Sequence, residues 1–220
     1  VSRSLFFILT VGLASCGKVP SPSGDISPPN GPDVDRLKLD SIKLSQQSSQ
    51  TDKPADLIEN PEYHRWNKFP VGTTVTRRMV TDSAKTEGKT ITTFIIKLKS
   101  KTDDDLTVET QAKTEYSDGR VMDNPPLTSR VPRRIMLPEG IDKAQWGKLI
   151  GNAEETLTVL GKSYKCVRNE STGTTDAGKL LQTVWSSEEM PGVLVKSLTL
   201  VPAVEETTTI DVVELVIPRD

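Results

Sequence analysis

Beyond residue 70 the chain alternates between apolar and polar positions with a period of two. Thr92, Phe94, Ile96 and Leu98 fall on one side of an extended segment and Thr93, Lys97 and Lys99 on the other, with Ile95 an apolar exception. That period marks a half-buried strand, because successive side chains of a strand point to opposite faces. Leu106, Val108, Thr110 and Ala112 alternate in the same way against Thr107, Glu109, Gln111 and Lys113, and Lys101 to Asp105 joins the two runs. The pair predicts an antiparallel hairpin. A strand over Thr73 to Thr81 is predicted before it, and Ser117-Asp118-Gly119-Arg120 is a further turn. The Asp-Gly pair there suits the positive φ of a type I′ hairpin.

The pattern then weakens at Pro125, Pro126, Pro132 and Pro138, with a short helix predicted over Asp142 to Leu149 around Trp146. Strands resume over Glu155 to Leu160, Ser163 to Asn169, Leu180 to Ser186, Val193 to Val201 and Thr207 to Ile217. These runs are rich in Val, Leu, Thr and Ile, and Gly or Pro separates most of them. Ahead of all the strands, Pro61 to Phe69 reads as one helical turn or a tight aromatic loop. No repeat of a fixed period of 20 to 50 residues recurs, which argues against a propeller or solenoid. The expected fold class is mainly β: a single curved antiparallel sheet or an open barrel, with one or two short helices, over residues 55–220.

The first 54 residues follow other rules. Arg3 precedes a mostly apolar run from Leu5 to Leu13, and Ala14 and Ser15 supply small side chains before Cys16. The run is shorter than the roughly 20 apolar residues that span a bilayer, so it reads as a removable export signal over residues 1–15. Leu13-Ala14-Ser15-Cys16 resembles the lipobox of bacterial lipoproteins. The resemblance implies that the Cys16 sulfur receives diacylglycerol, that the bond before it is cut, and that acyl chains hold the chain on a membrane. Localisation in a bacterial cell envelope follows as an expectation. Gly17 stands where an Asp would favour inner-membrane retention, which points to the outer membrane, facing the periplasm or the exterior. Residues 16–54, with Pro20, Pro22, Pro28, Pro29 and Pro32, are expected to be a flexible Pro/Ser-rich tether. Leu37, Leu39, Ile42 and Leu44 inside it hint at a short strand or nascent helix.

Charge and cysteine content narrow the function classes. The formal charge is −2, so there is no cationic excess to neutralise phosphates and no nucleic-acid partner is expected. The basic pairs Arg77-Arg78 and Arg133-Arg134 read as solvated strand edge or loop. With Cys16 carrying lipid, Cys166 has no partner within the chain, and it reads as a buried small hydrophobe in preference to a reactive thiol. His64 is the sole histidine, expected in a loop beside Tyr63 and Trp66, and it cannot support a His-based metal cluster or a Ser-His-Asp triad alone. Signatures of serine hydrolases and phosphate loops are missing. Asp103-Asp104-Asp105 reads as a solvated hairpin turn and not as a calcium loop. No catalytic residue, metal site or cofactor is therefore expected. Glu154, Glu155, Glu188 and Glu189 are the carboxylates that folding would have to gather for an enzyme.

Trp185 to Lys196 has a strand ending in Met190-Pro191-Gly192 and a returning strand, and together with Gly151-x-x-Glu154 through Tyr164-x-Cys166 it resembles curved-sheet envelope lipoproteins of the lipoprotein-carrier type. In those carriers a curved sheet closes over an apolar cavity that accepts acyl chains, which would make Trp185 and Met190 ligand contacts. Core and turn packing is the competing reading of both residues. The expected function is a lipid-anchored, non-catalytic binding or interaction domain for a lipid or another envelope component. The alternative is a structural or assembly subunit of an envelope complex with no small ligand.

Overall fold

The chain divides into two units, residues 1–54 and Ala55–Asp220. A computed structural model describes residues 57–84, 88–137 and 146–219, which all belong to the second. The expected signal, Cys16 and the expected tether, with the strand or helix hinted at over Leu37 to Leu44, lie outside the described residues.

The first described elements are a short strand β1 (Leu57–Glu59) and a helix α1 (Pro61–Asn67). Asn60 caps α1: its side-chain oxygen accepts from the Glu62 N–H at 3.0 Å, and Pro61 occupies the first turn where no N–H is needed. Within Pro61 to Phe69, residues Pro61–Asn67 thus form a helix of nearly two turns, which places His64 on a helix and not in a loop. Tyr63 and Trp66, three residues apart, are the buried side of this helix.

The strands β2 (Thr74–Ser83), β3 (Lys89–Lys101) and β4 (Asp105–Glu115) follow as an antiparallel meander. The hairpin between β3 and β4 closes as expected. The Thr102 hydroxyl accepts from the Asp104 and Asp105 N–H groups, so Asp103 to Asp105 form an ordinary turn. After β4 the Asp118-Gly119 turn forms, but with different geometry. Gly119 has φ +83°, whereas Asp118 is not among the described non-glycine residues of positive φ, so type I′ is not adopted. The Tyr116 N–H donates to the Arg120 carbonyl and the Gly119 N–H to the Tyr116 carbonyl, giving a longer loop in which glycine alone takes the left-handed position.

The Pro-rich middle contributes three short strands, β5 (Val121–Asp123), β6 (Leu127–Pro132) and β7 (Arg134–Met136). Both β5 and β6 pair with β4, and β7 pairs with β1 in a separate two-stranded ribbon. The short helix expected over Asp142 to Leu149 is corrected where it can be seen: Trp146 and Gly147 form a turn and Lys148 and Leu149 are irregular. Gly147 has φ +77°, and a side chain there would meet Pro61, so the segment turns where a helix would have to continue. The remaining residues of that expectation, 142–145, lie outside the described residues.

The second block comprises β8 (Ala153–Val159), β9 (Lys162–Thr175), β10 (Gly178–Ser186), β11 (Leu194–Val201) and β12 (Glu206–Val216), with one 3₁₀ turn at Pro202–Val204. The strand order is β5-β4-β3-β2-β12-β11-β10-β9-β8 with β6 also on β4. The first and last long strands, β2 and β12, meet in the middle and join the two blocks. The result is one curved antiparallel sheet that does not close into a barrel, as the alternation predicts.

The core sits at one end of these strands. Val75, Leu98, Leu106, Val108, Val131, Val195 and Val212 bury their side chains with Tyr63 and Trp66 of α1, Tyr164 and Cys166 of β9, and Met190. Each fully buried Val or Leu contributes roughly 1.5–3 kcal/mol. Two bulges, at Val212/Glu214 on β12 and at Leu98/Ser100 on β3, add twist at the same end. Toward the other end, the hydroxyls of Thr92 and Thr114 meet at 3.0 Å, and so do those of Thr81 and Thr208.

Candidate functional site

An open basin of about 640 Å³ lies beside α1. Leu57, Ile58 and Pro61 line it with apolar surface, Trp146 adds an aromatic wall, His64 adds an imidazole, and Glu59, Arg65, Lys148 and Glu188 supply charge. Its walls come from three distant parts of the chain. The Trp146 indole N–H donates to the Glu59 carbonyl at 3.0 Å, and the Arg65 guanidinium donates to the Gly147 carbonyl at 3.1 Å. These two bonds fasten the 146–148 turn against β1 and α1.

Glu59 is the hub on one side. Its carboxylate meets His64 Nε2 at 2.9 Å, Arg133 Nε at 3.2 Å and Arg134 Nε at 3.3 Å. The hydrogen bond from Arg133, with smaller contributions from His64 and Arg134, holds this carboxyl below the usual range. Arg133 is raised in turn by the same partner. On the other side Glu188 meets Lys68 Nζ at 2.8 Å and Arg65 Nε at 3.6 Å. The Arg133-Arg134 pair therefore lies at the surface, as expected, but in an ion cluster.

Arg77 departs from the solvated reading. Its guanidinium donates to the carbonyls of Pro191 at 3.0 Å and Gly192 at 3.3 Å, its Nε has no partner, and burial pulls it down to about 10. It remains a cation at neutral pH. The reason is the 187–193 loop, which folds onto the sheet end and surrounds the side chain. That loop holds itself by Ser187 N–H to Val193 carbonyl at 2.8 Å and Val193 N–H to Met190 carbonyl at 2.8 Å, with Gly192 and Val193 both at positive φ. Arg78, one residue on, is exposed.

Of the two residues singled out as ligand contacts, Met190 has no exposed surface and packs in the core. Trp185 is partly buried, and its indole N–H donates to Glu155 at 2.8 Å. Neither lines the basin. The four candidate carboxylates are dispersed: Glu155 pairs with Arg168, Glu188 with Lys68 and Arg65, Glu189 with Lys162, and Glu154 is exposed on β8. Cys166 is buried, donates weakly to the Tyr164 carbonyl at 3.5 Å, and burial pushes its thiol up, which disfavours the nucleophilic thiolate. Lys165, its neighbour, is exposed. Among the described residues no group of three or more His, Cys, Asp or Glu side chains is placed to hold a metal ion.

Sequence reasoning missed Glu59, Trp146 and Arg77. Only the first had a local signal. Asn60-Pro61-Glu62 is a helix-start pattern, and a residue just ahead of it sits close to the helix N-terminus.

No protein-family model matches this chain, and no curated protein sequence does. Among solved structures it is similar to a protein described as exported, with a YmcC-like fold, from Bacteroides fragilis, at 10% identity and a TM-score of 0.41 over 67% of this chain and 97% of that one. A protein described as a lipoprotein from Parabacteroides distasonis is 10% identical with a TM-score of 0.40 over the same shares. A domain described as an outer membrane lipoprotein-sorting protein from Vibrio parahaemolyticus is 8% identical with a TM-score of 0.24, over 71% of this chain and 90% of that one. TM-scores below 0.5 do not establish a shared fold, and the functional reading below rests on the chain itself.

Proposed function

We propose that this chain is a lipid-anchored protein of a bacterial envelope, held through Cys16, whose β domain works by binding and not by catalysis. The observation that carries the binding half is the basin beside α1, where apolar side chains and an aromatic wall stand among ionic ones. Ligand sites are concave and largely apolar with a few fixed polar groups, and the basin has that composition. The anchoring half is supported by Leu13-Ala14-Ser15-Cys16 after its short apolar run. The outer membrane is the proposed location, on the strength of Gly17.

Growth of a bacterial host with a labelled fatty acid tests the anchor. Label on the mature chain, lost together with membrane fractionation in Cys16→Ser, is the expected result; an unlabelled parent chain would sink it. Binding is tested by titrating the mature protein with detergent-extracted envelope lipids while following tryptophan emission. A change that disappears in Trp146→Phe is expected, and a change unaltered by that substitution would move the ligand away from the basin.

A further inference from the structure

The face that borders the basin has a composition suited to a membrane surface. In the β1–β7 ribbon Leu57 pairs with Met136 and Glu59 with Arg134 in antiparallel register, so these four share one side, whereas Ile58 is buried. Leu57 and Met136 are 59% and 66% exposed and stand side by side, so they form a small apolar patch. Around them stand five basic side chains, Arg65, Lys68, Arg133, Arg134 and Lys148, against the four carboxylates of Glu59, Glu62, Asp103 and Glu188; Glu59 and Glu188 pair with all of the five except Lys148. This local cationic excess contrasts with the net charge of −2 for the chain. Trp146 lies in the same basin, with its N–H already bonded and its ring among apolar neighbours. Exposed aliphatic groups, a tryptophan and a basic rim are the combination that settles at the boundary between headgroups and acyl chains.

We propose that this face docks the domain onto the anionic surface of the membrane that carries its lipid anchor. The inference deepens the proposed function and rests on it for the identity of that membrane. The position of the face along the chain agrees: residues 17–56 are all that separate Cys16 from Leu57, so the chain enters the described domain at the docking face itself. Leu57 and Met136 enter the headgroup layer, the arginines and lysines meet lipid phosphates, and the basin becomes a closed space against the bilayer. The anchor then sets where the domain is, and the face sets how it is turned.

The test uses the mature chain with Cys16→Ser, which carries no acyl group, in sedimentation with vesicles of phosphatidylglycerol and phosphatidylethanolamine, and with vesicles of phosphatidylcholine alone. Binding to the anionic vesicles at least about tenfold stronger than to the neutral ones is expected, since each basic group near an anionic surface is worth about fivefold. Arg134→Glu with Lys148→Glu is expected to remove that preference, and Leu57→Ser with Met136→Ser to weaken binding to anionic vesicles severalfold; circular dichroism confirms folding of both. Equal binding to the two vesicle types, binding to neither, or partition unchanged in both variants would overturn the proposal. So would retention on soluble polyglutamate as strong as on vesicles, which would make the partner an acidic polymer. Failure of Cys16 acylation in cells leaves this assay untouched, because the chain assayed bears no lipid, and failure on vesicles leaves the anchor standing.

Discussion

At the end of the sheet covered by α1, β2, β3 and β4 contribute Val75, Leu98 and Leu106, none with exposed surface. Toward their other ends the same three strands contribute Thr81, Thr92 and Thr114, whose hydroxyls pair across strands, with Thr208 of β12 as the fourth partner. One end is sealed by apolar volume and the other by hydrogen-bonded hydroxyls. The difference teaches where the stability of a domain of long strands resides. Apolar burial gains with every methylene excluded from water, at roughly 0.8 kcal/mol each. A hydroxyl pair nets only about 0.5–1.5 kcal/mol but penalises the loss of either partner.

Leu98→Ala should have the largest effect, a loss of about 2–5 kcal/mol, because it empties the middle of the covered end where α1 and β4 cannot follow. The urea midpoint should fall with an unchanged slope, and an equal effect from Ile95→Ala, at 41% exposure on the same strand, would erase the contrast. Arg77→Met should cost about 1–3 kcal/mol, since it leaves the Pro191 carbonyl under the 187–193 loop without its Arg77 donor, while the Gly192 carbonyl keeps the Leu194 N–H. Arg77→Lys should recover little of it, because an ammonium lacks the guanidinium fork. Thermal midpoints of the three proteins check this, and full rescue by lysine would show that charge alone matters there. At the threonine end, Thr92→Val should cost about 1 kcal/mol by stranding the Thr114 hydroxyl, while the double replacement of Thr92 and Thr114 by Val should be close to neutral. A double-mutant cycle showing simple additivity would remove the hydroxyl pair as the organising contact.

The smallest effect concerns Cys166. Burial raises its thiol in the folded state above the unfolded value near 8.5, so the folded chain keeps this proton longer. The contribution is fully present below the unfolded value and is lost as pH rises toward the folded one. Cys166→Ala should therefore flatten the decline in stability above about pH 9, and labelling of the native thiol by Ellman's reagent at pH 8 should be slow beside that of the unfolded chain. Rapid native labelling would place the thiol at the surface.

How much of this was legible in the chain depends on how local the cause is. The alternation of Thr92 to Leu98 and of Leu106 to Ala112 is written in neighbouring residues, and it located β3, β4 and the hairpin between them. The two-block arrangement of one open curved sheet was legible for the same reason. The pairing of β2 with β12 was not, because their register, with Arg77 opposite Val212, joins segments at the two ends of the domain. Arg77 itself looked like a solvated half of an Arg-Arg pair, since the carbonyls that receive it lie 114 and 115 residues away. The basin was hidden likewise: Glu59 meets Arg133 and Arg134 across 74 and 75 residues, and Trp146 reaches it across 87. Helix α1 is legible beyond a single turn, as Asn60, Pro61 and Glu62 spell a helix start. At Asp118-Gly119 the residues announced a turn, but the loop took five positions where two were foreseen.

A tight two-residue turn with positive φ at both positions, 52° and 77°, lies instead at Leu160-Gly161, where Val159 pairs with Lys162. A leucine resists that backbone, having neither the bare Cα of glycine nor the self-bonding amide of asparagine. Such a bend is a poor starter of assembly. The ladder beyond it, with Leu157 opposite Tyr164 and Glu155 opposite Cys166, holds the bend in place. β8 accordingly stands at the end of the strand order, joined to the sheet through β9, and is expected to be the first strand of this block to fray.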